Sequence, residues 1–352
     1  MYKSIPFEKN ELKVAEIISN RFGGPDMPVR DTPVSSRENV AAMYHEKSPW
    51  WTPIPVDSAM IMPALYNDRL GRGGPDGTTD AFGITWEYVK AVGGSIVRPG
   101  EPLLADANEW KDKIKFPDLD SWDWAKAAEE SQVDKKRPCQ ISLVNGFWFE
   151  RLISFMDFAP AAVALIDEDQ SDAVKSFFEA STDFAIKLVD KLFEYWPALD
   201  GLNIHDDWGS QRSPFFSKEV ADELIVPHMK ALTDHIHAKG RYATLHSCGH
   251  LVTRVECFIE GGFDSWDPQT MNDTHMLYDK YGDKIIIAVV PDLFDPATTP
   301  EDEQRRRARE HFDRFCKPGK PSYIGFYGAP ALTPAFSDEL YEYSRKKYGG
   351  YL

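Results

Sequence analysis

From Pro138 onward the chain alternates between short apolar runs and amphipathic stretches, and this alternation restricts the fold more than any other feature. The strand-like runs are Cys139–Val144, Gly201–His205, Arg241–His246, Phe263–Trp266, Lys284–Val290 and Ser322–Phe326. Helical spacing fills the gaps, over Phe149–Phe158, Asp172–Tyr195, Lys218–Lys239, Thr253–Glu260, Thr274–Tyr281 and Pro300–Phe315. Ser217 and Thr299 stand where N-caps belong, Gly240, Gly261 and Gly282 where helices end, and Pro197 stops the helix before it. Strands joined by helices at this spacing pair in parallel through right-handed crossovers. Two earlier pieces, Trp50–Val56 and one near Ser95, bring the count to eight, so the expected class is α/β, a (β/α)8 TIM barrel. A doubly wound open sheet is the alternative, but no Gly-x-Gly-x-x-Gly or phosphate-binding Gly-Lys-Ser/Thr motif follows a strand.

The 352 residues suit a single barrel domain with additions. Residues 1–48 read as an N-terminal helical extension, with one helix over Glu8–Arg21, a Gly-Gly-Pro break, and a second running from the Ser35 cap to about His45. Between residues 67 and 120 the pattern weakens: Gly71, Gly73, Gly74, Pro75 and Gly77 crowd together, and only Gly83–Val89 and Ser95–Val97 look extended. Phe82, Trp86, Tyr88 and Trp110 call for packing, so this segment is expected to be an insertion after the first strand, covering one barrel end.

A formal net charge of −16 repels nucleic acid and anionic membrane, which excludes both as partners. The 4 cysteines, Cys139, Cys248, Cys257 and Cys316, form no CxxC pair, the usage of a reducing compartment. Met1–Asn20 has no apolar signal-peptide core, and no run approaches the ~20 apolar residues that span a bilayer. A soluble cytoplasmic protein is expected, with a homodimer as the common default.

Polar residues gather where the strands end. His205, Asp206 and Asp207 follow one strand; His246, Cys248 and His250 follow the next. Asn145 follows an earlier strand, and Asp267, Gln269, Asp292 and Tyr327 follow later ones. In a barrel such ends converge on the mouth where catalytic groups sit. Side chains alternate along a strand, so Thr244, His246 and Cys248 share one face, and His205 shares parity with Asn203. A nitrogen and a sulfur two residues apart suit zinc, so His246 and Cys248 are the candidate metal ligands. Catalytic zinc takes about three protein ligands, and His205, Asp206 or Asp207 could supply the third or act as acid–base groups. Trp148, Trp208, Trp266 and Tyr327 accompany these ends and suggest flat apolar walls for a planar ligand, with Asn145, Gln269 and Asp292 as polar contacts. Each of these residues also has an ordinary role open to it, as core filler, turn former or helix cap.

At these residues the chain resembles the uroporphyrinogen decarboxylase superfamily, and within it the corrinoid-linked methyltransferases. The resemblance rests on Asp80-Ala-Phe-Gly-Ile-Thr-Trp86, Asn145-Gly-Phe-Trp-Phe-Glu-Arg151, Asp206-Asp-Trp-Gly-Ser-Gln211, His246-Ser-Cys-Gly249 and Gly261-Gly-Phe-Asp264, and runs from about residue 35 to the C-terminus. It implies a (β/α)8 barrel. The decarboxylases open with an arginine-bearing Met-Arg-Gln-Ala-Gly-Arg type of segment that holds tetrapyrrole carboxylates; here the region reads Arg37-Glu-Asn-Val-Ala-Ala-Met43. The thiol-methylating members bind zinc through His-x-Cys and a distant cysteine near the last strand. The first two ligands carry over to His246 and Cys248, but Tyr323-Ile-Gly-Phe-Tyr-Gly328 holds no cysteine.

A zinc site short of one thiolate is the stronger Lewis acid. The resemblance therefore implies demethylation of a small methylated donor, with an aromatic methyl ether as the expected case. The methyl group would pass to the cobalt of a corrinoid on a partner protein, because no corrinoid-binding Asp-x-His-x-x-Gly motif is present in this chain. The alternatives are transfer from methylcobalamin to a thiol or folate, a lyase using Asp206 or Asp207, and a non-catalytic ligand-binding barrel.

Overall fold

The structure, a computed structural model, describes residues 5–19, 26–70, 78–90 and 94–352. It is an α/β protein with a central parallel sheet of six strands. The chain divides into two compact units, one of residues 60–133 and 139–263, the other of residues 1–59, 134–138 and 264–352. Among the described residues no helix is long and apolar enough to cross a membrane.

In the larger unit, Cys139–Leu143, Gly201–His205 and Tyr242–His246 lie side by side in parallel. One face of these strands is fully apolar: Ile141, Leu143, Leu202, Ile204, Ala243 and Leu245 are at most 1% exposed. Ser171–Tyr195 is the longest helix, and its buried residues, among them Val174, Phe177, Phe178, Ser181, Ala185, Leu188 and Leu192, recur at three and four. The expected helix over Lys218–Lys239 is two, Lys218–Leu224 and Val226–Ala238, because Pro227 has no N–H to continue the ladder. Phe149–Phe158 likewise breaks after Met156, where Asp157 takes φ 63°.

The inserted segment folds within this unit. Thr78–Thr79, Thr85–Val89 and Gly94–Val97 make a small antiparallel sheet. The strand expected near Ser95 thus exists, but it does not join the parallel sheet. Phe82 packs edge-on against Phe116, Phe155 and Phe184, which fixes the segment on the Phe149–Met156 and Ser171–Tyr195 helices. The glycine-rich residues 71–77 lie outside those described.

The smaller unit departs further from expectation. In place of the Glu8–Arg21 helix stand a 3-10 turn, Lys9–Leu12, and a strand, Val14–Ile18, paired antiparallel with Met27–Arg30. The β-branched Val14, Ile17 and Ile18 lose rotamer freedom in a helix and fit a strand better; residues 20–25 lie outside those described. The second helix forms as expected, Ser36–Glu46, with Ser35 and Glu38 closing a capping box. Trp50–Val56 is not a strand, because Pro53 and Pro55 cannot donate to a ladder. The strand begins later, at Ala59–Ile61.

Ser265–Trp266 and Ile286–Ile287 pair in parallel. The expected Ser322–Phe326 strand is reduced to one bridge, Ala288 to Tyr323, since the Phe326 N–H goes to Asp267 Oδ2 at 2.9 Å instead of a ladder. Thr299 is no cap: Glu301–Phe315 starts after Pro300 with no side-chain cap bond. The closing helix, Pro334–Tyr348, escaped the sequence reading and is capped by Thr333. Its Arg345 forms a buried bidentate pair with Glu11, 2.8 and 3.0 Å, which ties the N-terminal turn to the end of the chain.

Candidate metal centre

Parallel register sets His205 directly beside His246, at the carboxyl ends of neighbouring strands. Their rings lie 4.4 Å apart between centroids and tilt by 30°. Asp207, two residues past His205, shares its parity and returns to the same side. One ligand atom each from His205, Asp207 and His246 lies within 4.8 Å of the others. His246 Nε2 is 3.9 Å from Asp207 Oδ1 and 3.2 Å from Cys248 Sγ. The Cys248 N–H donates to Asp207 Oδ1 at 2.8 Å and so aims the carboxylate at the cluster. All four side chains are half-buried, reachable by solvent yet held by the fold.

The donor set fits a divalent ion. Nitrogen and oxygen ligands at about 2.1 Å around a tetrahedral zinc stand about 3.4 Å apart; the His246–Asp207 separation is 3.9 Å, and the donor atoms of His205, Asp207 and His246 all lie within 4.8 Å of one another, a small inward movement from that spacing. Two imidazoles and a carboxylate match the ligand types zinc prefers; the expected ligand Cys248 stands beside His246, outside this group of three. From sequence, His205, Asp206 and Asp207 are open to either an acid–base role or the third ligand position; the structure groups His205 and Asp207, and not Asp206, with His246 as ligand candidates. The signal was legible as matching parity on consecutive strands.

Asp206 belongs elsewhere. It is fully buried on the opposite side, where Oδ1 accepts the Glu150 N–H at 2.9 Å and Oδ2 the Trp208 indole N–H at 2.7 Å. It thereby caps the N-terminus of Phe149–Met156 from a distant part of the chain. Burial pushes its carboxyl up to about 8, against the pull of the hydrogen bonds from Trp208 and Phe149. Gly146, at φ +46°, is needed because a Cβ there would lie 2.6 Å from Asp206 Oδ1.

Motifs that are far apart in sequence interlock behind the cluster. Ser247 donates to the Asp206 carbonyl at 2.7 Å and accepts the Trp208 N–H at 3.1 Å. Gly249, at φ +105°, backs onto Gly209, where a Cβ would lie 2.3 Å from the carbonyl carbon. Asp80 gathers the N–H groups of Phe82 and Ile84 and the indole of Trp86, and meets Arg151 at 3.4 Å. Ser247 and Gly209 enter the sequence reading only as members of quoted motifs; their roles, a hydroxyl bonded to two backbone groups and a glycine that leaves room for Gly249, depend on contacts that residue type does not announce.

Of the expected aromatic walls, the three tryptophans are core. Trp148 and Trp208 are 0% exposed, with their indoles bonded to Thr182 and Asp206. Asn145 is also fully buried, and its amide donates to the Leu70 carbonyl at 2.7 Å. These residues have no open surface for a ligand, because the helices over the sheet need large side chains beneath them. In the smaller unit, Trp266 is 0% exposed, the Gln269 carbonyl accepts from Asn272, and Asp292 is exposed 3.9 Å from His275. Tyr327 is half-buried against Phe326. In that unit burial also pushes Asp267 up to about 6.

No family model matches the chain, nor does any curated protein sequence. Among solved structures, a methyltransferase from Methanosarcina mazei superposes with a TM-score of 0.54 at 12% identity, over 90% of this chain and 99% of that one. This likeness shows a shared fold and not the reaction. A chitinase catalytic domain from Ostrinia furnacalis reaches a TM-score of only 0.29 at 13% identity, over 78% of this chain and 63% of that one, and carries no argument.

Proposed function

We propose that this chain is a metal-dependent methyltransferase, a (β/α)8-type protein that removes the methyl group of a methyl ether. The observation that carries the reading is the convergence of His205, Asp207 and His246 within 4.8 Å, with Cys248 beside His246. Zinc is the metal that best suits these residues, and when bound it supplies Lewis acidity toward the ether oxygen. The fold shared with a methyltransferase and the resemblance of the motifs support methyl transfer over other uses of such a centre.

The chain's own residues have separable tasks. His205 and His246 would hold the ion through ring nitrogens, their rings packed against each other at 4.4 Å between centroids. Asp207 would complete the set, steered by the Cys248 N–H. Cys248 would join as a further ligand or hold His246 through its thiol. Asp206 is a positioning residue, holding the Trp208 loop and the Phe149–Met156 helix in place around the cluster. The methyl acceptor would be a corrinoid on a separate protein.

Metal analysis tests the reading. Purified wild-type chain is expected to hold about one zinc, and His246→Ala, His205→Ala and Asp207→Ala to weaken zinc binding by about 100-fold or more. Full methyl transfer to a corrinoid protein by chelator-treated, metal-free chain would overturn it.

A further inference from the structure

The face of the sheet that carries His205 and His246 stays polar well below them. Gln140, Ser142, Asn203 and Thr244 share that face, with Ser142, Asn203 and Thr244 in one register row. Parallel sheets are normally apolar on both sides, and barrel interiors are filled with branched apolar residues. Here the covered face obeys that rule and the other does not. Burying polar side chains is unfavourable unless they are hydrogen-bonded, and these form a directed chain. The Ser142 hydroxyl donates to Asn203 Oδ1 at 3.1 Å, Asn203 Nδ2 to Thr244 Oγ1 at 2.9 Å, and the Thr244 hydroxyl to Gln140 Oε1 at 2.9 Å. The run ends at Tyr242, whose ring lies where a Cβ on Gly201 would sit.

The direction of this chain determines what it leaves over. The oxygens of Asn203, Thr244 and Gln140 all accept within it. One N–H of Asn203 and both N–H groups of Gln140 remain, with no protein acceptor for them among the described residues. Gln140 and Asn203 are only half-buried. A row of amide donors below a metal centre complements a ligand that carries an acceptor oxygen. Trp148 and Trp208, which would have favoured a flat apolar ring, are sealed in the core.

We infer that the methyl donor is a small ether with a carboxylate or carbonyl tail, which Asn203 and Gln140 bind while the ether oxygen faces the metal. The assignment rests on the metal-centre reading above and narrows it from methyl ethers in general to acceptor-tailed ones. Asn203 and Gln140 are then specificity-determining residues.

Methoxyacetate and anisole, a polar and a flat apolar methyl ether, are the probes, titrated calorimetrically into the full-length chain with zinc content measured in parallel. Wild-type chain is expected to bind methoxyacetate and not anisole. Asn203→Leu and Gln140→Leu should each weaken methoxyacetate binding about tenfold with zinc content unchanged. Thr244→Val, which keeps the shape of the side chain, should weaken it about fivefold, and Thr244→Ser should restore it. Preference for anisole, binding of neither probe, or wild-type affinity in the Asn203 and Gln140 variants would overturn the inference. If wild-type chain holds no zinc, the metal reading fails by itself; the donor row is then judged by whether methoxyacetate binding still depends on Asn203 and Gln140.

Discussion

At the scale of single residues, adjacent acids in one motif have opposite fates. Asp207 turns toward two imidazoles in a solvent-reached cluster, and Asp206 turns into the core, where it satisfies backbone and indole donors. Strand alternation alone separates them. Removing the Asp206 carboxylate leaves at least two buried donors without an acceptor, each costing about 1–3 kcal/mol. Asp206→Ala is therefore expected to lower unfolding stability by about 3 kcal/mol in urea titrations, and Asp206→Asn, which keeps one acceptor oxygen, by about 1 kcal/mol. An acid–base catalyst would behave differently: both variants would lose turnover while stability stayed at the wild-type value.

At the scale of elements, the ends of the smaller unit are held by side chains that read as unremarkable in sequence. Glu11, 4% exposed, accepts both bonds from Arg345 and a third from Tyr341 at 2.7 Å. The 3-10 turn Lys9–Leu12 and the helix Pro334–Tyr348 are thereby fastened together. Taking away one partner of such a pair strands the other charge in the interior, a loss of about 3–5 kcal/mol. Glu11→Ala is expected to show a loss of that size in chemical denaturation, and replacement of both Glu11 and Arg345 by apolar residues a much smaller one. Equal losses in the single and double variants would contradict this account.

At the scale of the molecule, acid sensitivity has an identifiable source. His311 is 5% exposed, neither ring nitrogen has a hydrogen-bond partner among the described residues, and Phe315 and Phe336 pack near it. Burial, with a smaller contribution from His275, lowers its imidazole to about 3. The folded chain therefore binds this proton less readily than the unfolded chain, whose histidine titrates near 6.5. His311 contributes its stability fully above that pH, and the contribution is lost as pH falls toward 3. Asp267, raised to about 6, acts oppositely, its stabilisation fading as pH rises from about 4 to 6. His311→Leu is expected to flatten the decline in urea midpoint between about pH 6.5 and 4. An unchanged slope would place the acid sensitivity elsewhere.

The sequence by itself determined what is local or periodic. Alternating runs specified parallel α/β architecture, the Ser35 and Ser217 caps marked helix starts, and the shared faces of His246 with Cys248 and of His205 with Asn203 were legible from alternation within each strand, while the register that sets His205 beside His246 was not. Tertiary structure decided what depends on partners far along the chain. Asp206 became a cap because a helix start 56 residues away offered it N–H groups. Trp148 and Trp208 became core because helices had to close over the sheet, and the 322–326 strand dissolved because Asp267 took its backbone donor. Residue type sets what a side chain can bond to, but only packing decides which donors and acceptors come within reach and which surfaces remain open to a ligand.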